Sequence, residues 1–154
     1  MYDEREELLK ALRSNPVTLQ TLVRGLTDAA LRARPAPDEW SIVEVVAHLG
    51  DTEERTLERV RRMLDEDNPT LPGFDQAALG VERHYHDMDF GEALRRFLAL
   101  RAEHLGLLES LDDAGWRRPG VHAENGPMSV QLYESHIAGE DADHMAQIAR
   151  LVPA

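Results

Sequence analysis

The chain has 154 residues, 42% of them hydrophobic and 30% charged, which is the size and mixture of one soluble globular domain spanning 1–154. Lys and Arg total 17 against 29 Asp and Glu, a formal net charge of −12, and phosphate backbones select basic surfaces, so a nucleic-acid partner is excluded. There is no cysteine, no run near the roughly 18 apolar residues of a membrane helix, and an acidic start unlike a signal peptide; disulfides, thiolate sites and membrane insertion drop out, and a cytoplasmic location is expected.

Low aromatic content and 3.6-residue periodicity predict an all-α fold. The first helix starts at Asp3, an N-cap followed by Glu4, Glu6 and Glu7, and buries Leu8, Leu12, Leu19, Leu22, Val23 and Leu26. Pro16 lies inside this pattern and predicts a break or kink there, with Asn15 as a new cap. A short helical turn is expected between Thr27 and Pro37. The second helix begins at the capping box Ser41-Ile-Val-Glu44 and runs to about Asp65 on a stripe through Val45, Leu49, Thr56 and Val60.

Residues 66–88 show no sustained period, and such a long connection is a crossover that lets the second and third helices run in the same direction. Helix three opens at the cap Asp89 and carries Phe90, Ala93, Leu94, Phe97, Leu98, Leu105 and Leu108. A loop is expected from Asp112 to Met128, where Trp116, Arg117 and His122 are candidates for a substrate mouth. Helix four runs from Ser129 to about Val152. Four long amphipathic helices make a four-helix bundle.

Polar residues on the buried stripes are the informative ones. With Val130 at zero and about 100° per residue, Glu140 falls near 280°, His144 near 320° and Asp141 near 20°, all toward the core. Burying them costs several kcal/mol unless each finds a partner or an ion. Glu140 and His144, one turn apart, can converge on a divalent ion, or else pair with each other. His48 on helix two is the candidate third ligand, with Asp51 and Thr52 one turn on as supporting groups. Two histidines and a carboxylate suit zinc, nickel, iron or manganese. His136 is the weaker candidate, since about 12 Å of helix axis separates it from His144. His104 lies on the helix-three stripe without a ligand partner one turn away, and His84-Tyr-His86-Asp87 reads as a solvated loop. Arg101 faces inward and is expected to neutralise Asp141.

These residues resemble the DinB-like superfamily of bacterial four-helix metalloproteins, which includes the YfiT-like proteins. The likeness runs through Glu39-Trp40-Ser41-Ile42-Val43-Glu44 into His48-Leu49, then Phe97, Arg101 and Trp116, Gly126-Pro-Met-Ser129, and His136 to Ile148. It implies an up-down-down-up bundle with the crossover between helices two and three, a divalent metal at one end, and often a homodimer. The family pattern of one histidine on helix two and H-x-x-x-H on helix four matches His48 and His144, while its first helix-four histidine falls on Glu140. Relatives include thiol S-transferases that use bacillithiol, mycothiol or glutathione, thiol-dependent isomerases, and hydrolases.

Two readings from different classes follow. One is a metal-dependent enzyme, a low-molecular-weight-thiol S-transferase or related hydrolase, holding its ion with His48, Glu140 and His144. The other is a non-catalytic dimeric bundle, a binding or stress-response module, in which Glu140 has ended metal chemistry and is satisfied by Arg101 or His48.

Overall fold

The computed structural model describes residues 3–154, so the first two positions of the expected 1–154 domain lie outside the described residues. In chain order the elements are α1 (Glu4–Val23), α2 (Asp28–Arg32), α3 (Ile42–Asp65), β1 (Thr70–Leu71), α4 (Gln76–Glu82), a 3-10 turn (Tyr85–Asp87), α5 (Phe90–Glu109), α6 (Asp113–Trp116), β2 (Pro119–His122), β3 (Gly126–Ser129) and α7 (Val130–Leu151). The four long helices start at their expected caps. Asp3 accepts from the Arg5 and Glu6 amides, Asp89 from Glu92 and Ser129 from Leu132, and Ser41 and Glu44 close a reciprocal capping box.

Cross-helix contacts fix the directions. Arg5 meets Gln131 and Asn15 meets Asp141, so α1 and α7 are parallel. Arg96 meets Glu54 and Arg61 meets Glu103, so α3 and α5 are parallel as well. Arg101 meets Asp141 and His104 meets Glu134, so α5 and α7 are antiparallel. The result is the expected up-down-down-up bundle, with the crossover between α3 and α5.

The interior has two apolar clusters. One gathers Leu12, Val60, Met63, Leu108, Trp116 and Tyr133, and the other Leu19, Val45, Leu49, Phe97, Met145 and Ile148. Between them lies a buried layer of charge. Arg101 donates to both oxygens of Asp141 at 2.8 and 2.9 Å and to Glu53 at 2.8 Å, as its inward position predicted for Asp141. His104 bridges Glu53 at 3.0 Å and Glu134 at 2.7 Å, and neither His104 nor Glu134 is exposed at all. Burial disfavours the His104 cation, but Glu134 and Glu53 outweigh that and hold its pKa up at about 9.

Pro16 does not break α1, contrary to the expectation. Proline lacks the amide that would bond the carbonyl four residues back, and here that carbonyl, on Leu12, accepts from Arg101 Nη1 at 3.0 Å. Asn15 caps nothing; its amide donates to Asp141 at 3.2 Å. Both residues serve the charged layer, which is why a continuous helix tolerates them.

The two connections hold more structure than the sequence predicts. Residues 66–88 contain β1, α4 and the 3-10 turn. The 112–128 loop contains α6 and a β2–β3 hairpin, with β1 parallel to β2 at Thr70–Val121 and β2 antiparallel to β3 from Pro119–Ser129 to His122–Gly126. Strands of two and four residues are too short to display a period of two. Gly126, at φ 74°, makes the hairpin turn. Gly120 lets the sheet rest on α3, since a Cβ there would meet Met63 Cγ at 3.0 Å.

Candidate metal centre and adjoining cleft

Along α3, His48, Thr52, Thr56 and Arg59 follow one another at steps of four, four and three, which places them on one face. On α7 the steps Tyr133, His136, Glu140 and His144 do the same. The helices run antiparallel, so the faces meet end to end: His48 packs against His144, and Thr56 and Arg59 both reach the Tyr133 hydroxyl, at 3.4 and 3.3 Å.

At the first end the His48 and His144 rings meet edge to face with centroids 4.9 Å apart, and Trp40 covers His48 at 5.1 Å. His48 is 2% exposed. Burial, then the neighbouring His144, push its pKa down to about 4, which keeps the ring neutral with a lone pair to offer. Its Nε2 stands 3.5 Å from Thr52 Oγ1. His144 sets Nδ1 against Gln147 Oε1 at 3.0 Å; an Nδ1–H donated there leaves Nε2 as a free donor atom.

Glu140 differs from its expected core position. Asp141 is buried and His144 half-buried, but Glu140 is exposed by area and lines a cleft beside the ring pair. The reason is angular: Glu140 lies on the flank of the stripe, where α7 borders the cleft between α3 and the hairpin. Desolvation within the cleft pushes its carboxyl above the usual range. Among the described residues it makes no ion pair, and no three His, Asp or Glu side chains stand at ion-binding spacing as placed. The donor set nonetheless suits a divalent ion in kind: two imidazoles, one held neutral, and an unpaired carboxylate one turn from the second.

The cleft, of about 100 Å³, is walled by Thr52, Arg55, Thr56 and Arg59 of α3, Phe74 of the following loop, His122 and Asn125 of the hairpin, and Tyr133, His136 and Glu140 of α7. The hairpin turn orients His122, whose Nδ1 accepts from the Glu124 and Asn125 amides at 3.1 and 3.2 Å. Burial, then Arg59, hold the His122 pKa below its ordinary value.

The sequence candidates sort cleanly. His48 and His144 are together, and Glu140, His136 and His122 share the adjoining cleft. Trp116 is instead a core residue, and Arg117 pairs with Asp113 on the surface. Thr52 supports His48, whereas Asp51 is occupied by Arg83, Arg96 and Tyr85. His84 is exposed, but Tyr85 beside it is fully buried, so that segment is only partly solvated. Arg55 and Arg59 were not singled out, although both recur on the face of His48.

The model of the DinB superfamily matches residues 11–148. A protein of Geobacillus kaustophilus named "Putative metal-dependent hydrolase" is 29% identical over 150 residues, covering 96% of this chain and 84% of its own. A Bacillus subtilis protein, YfiT, with the same descriptive name is 22% identical over 156 residues, covering 97% and 84%. The solved YfiT structure, described as a probable metal-dependent hydrolase with an unusual four-helix bundle topology, superposes with a TM-score of 0.88 at 22% identity over 98% of this chain and 87% of that one. Among the described residues no helix is long and apolar enough to cross a membrane. The chain belongs to the DinB superfamily.

Proposed function

We propose that this chain is a metal-dependent hydrolase of small molecules, with His48, Glu140 and His144 holding a divalent ion, and that transfer of a low-molecular-weight thiol is the same chemistry with a thiolate in place of water. The observation that carries the reading is the His48–His144 pair, with Thr52 beside His48 on the wall of a cleft that also holds the unpaired Glu140 carboxylate. A divalent ion bound there supplies Lewis acidity and a nucleophile ionised near neutral pH.

The chain's own residues do the rest. Trp40 and the burial of His48 exclude water from one side of the ring pair. Gln147 orients His144. The Tyr133 phenol is held by Thr56 and Arg59 and, with burial raising its pKa, stays protonated on the cleft wall.

The non-catalytic reading expects Arg101 or His48 to satisfy Glu140. Arg101 is committed to Asp141, Glu53 and the Leu12 carbonyl instead. Elemental mass spectrometry of untagged protein decides between them. Near-stoichiometric metal that is lost in His144→Ala is the expected result. Equal metal in both proteins, or none taken up by either from zinc, nickel or manganese, overturns it.

A further inference from the structure

Two cationic side chains in the cleft have no anionic partner. Arg59 is 7% exposed, and its guanidinium donates only to the Tyr133 hydroxyl and the Pro72 carbonyl. Arg55, half-buried, stacks on the Phe74 ring, and its Nη1 is buried without any hydrogen-bond acceptor. Among the described residues neither forms an ion pair. Buried charge is costly unless it is paired, and acids outnumber bases by 29 to 17 in this chain, so partners are not scarce. Two of those nearby are in use: Asp51 is taken by Arg83, Arg96 and Tyr85, and Glu53 by Arg101 and His104. Glu140 and Glu124 line the same cleft, yet among the described residues neither pairs with an arginine. Burial and then Arg59 weaken the hold of Arg55 on its proton, a second sign of uncompensated positive charge.

Beside the guanidinium pair the cleft offers neutral donors of the kind that surround a bound anion, the Thr52 and Thr56 hydroxyls and the Asn125 amide, with Phe74 as an apolar wall and the Glu124 and Glu140 carboxylates on the same lining. Arg55 and Arg59 sit seven and eleven residues along α3 from His48, or about 10 and 16 Å of helix axis, and their long side chains shorten that span.

We propose that Arg55 and Arg59 form a subsite for a compact oxyanion, a carboxylate or phosphate carried by the small-molecule substrate, which anchors that molecule with its reacting end toward His48 and His144. The orientation rests on the hydrolase reading above; the anion subsite does not. A planar guanidinium with a free edge binds a carboxylate or a phosphate through two parallel hydrogen bonds.

The test uses chelator-treated protein, so that a missing metal cannot mask the result. Isotope-labelled protein is titrated at constant ionic strength with sodium acetate, sodium phosphate or sodium chloride, and amide and arginine side-chain resonances are followed. Saturable shifts at Thr52, Arg55 and Asn125 are expected with acetate or phosphate and not with chloride, and the tighter of the two names the anion. Arg55→Gln should weaken binding at least about tenfold, the effect of losing one charge-assisted contact. Because Arg59 also holds the Pro72 loop, Thr52→Val is the second variant, expected to weaken binding by a smaller factor. The proposal is overturned if chloride shifts the same resonances equally, if Arg55→Gln binds as wild type does, or if only Glu140→Gln binds. That last result would show that the arginines belong to Glu140. Anion binding retained in a protein that takes up no zinc, nickel or manganese would refute the hydrolase reading and leave this one standing.

Discussion

Replacing Arg101 with Met asks what the buried charged layer is worth. Arg101 is 2% exposed and makes four hydrogen bonds: two to Asp141, one to Glu53 and one to the Leu12 carbonyl. Methionine fills much of the volume but removes the only cation that touches Asp141 among the described residues, where the Asn15 amide at 3.2 Å then remains its one side-chain donor. Glu53 keeps His104. Breaking one side of a buried pair costs about 3–5 kcal/mol, mostly the stranded carboxylate. For a chain of this size that lowers the melting temperature by between about 6 and 20 °C. Urea unfolding followed by circular dichroism measures it. Adding Asp141→Leu should return a large part of the loss, because the stranded charge is gone. The reasoning fails if Arg101→Met costs less than about 1 kcal/mol, or if the double substitution costs the sum of the two single ones.

His104 and Glu53 set the pH range of stability. His104, facing Glu53 from α3 and Glu134 from α7 beside Arg101 on its own helix, has its pKa raised from 6.5 to about 9, so its contribution is complete below 6.5 and lost as pH rises through about 9. Glu53, where burial is outweighed by His104 and Arg101, is lowered from 4.5 to about 2, so its contribution is complete above 4.5 and lost as pH falls toward 2. Urea midpoints should therefore form a plateau between 4.5 and 6.5, and His104→Gln should flatten the alkaline slope; a slope that persists would assign it elsewhere. Pro16→Ala would ordinarily gain about 3 kcal/mol in a helix interior. Here the restored amide competes for the Leu12 carbonyl with Arg101, a charged hydrogen bond worth about 1.5–3 kcal/mol. Stability should stay within about 1 kcal/mol of wild type, and a full gain would show that the freed carbonyl has no role.

Helix ends and directions were legible because their signals are local: Asp3, Ser41, Asp89 and Ser129 each satisfy amides two or three residues away, and the long gap after Asp65 fixes the crossover. The charged layer was half legible. Asp141 and Arg101 stood out on apolar stripes, whereas Glu134, about 40° from Val130 and equally toward the core on the same helical wheel, was not singled out. Its partner His104 comes from α5, and no periodicity along one helix reports a contact between two. The cleft arginines were hidden for a similar reason. Arg55 and Arg59 lie in a run continued by Arg61 and Arg62, which resembles a solvated face until Phe74 and the hairpin fold over it. Pro16 misled because the breaking rule assumes that the freed carbonyl goes unsatisfied.

The layer also explains how a bundle with short apolar side chains keeps its cleft in register. Leucine and valine clusters such as those at the two ends tolerate small slides of one helix along another, since most of the buried area survives. The chain of contacts Asn15–Asp141–Arg101–Glu53–His104–Glu134 does not, because a one-turn slip of α3 or α7 would separate several charged pairs at once and leave each buried. Glu53 lies one residue from Thr52 and two from Arg55, and Asp141 one residue from Glu140. The contacts that lock α3 to α7 through α5 therefore set the spacing at which His48 meets His144 and at which the two arginines face the α7 wall. In this bundle the costly interior charges position the outer ones, and their worth should be read as much in the geometry of the cleft as in the free energy of folding.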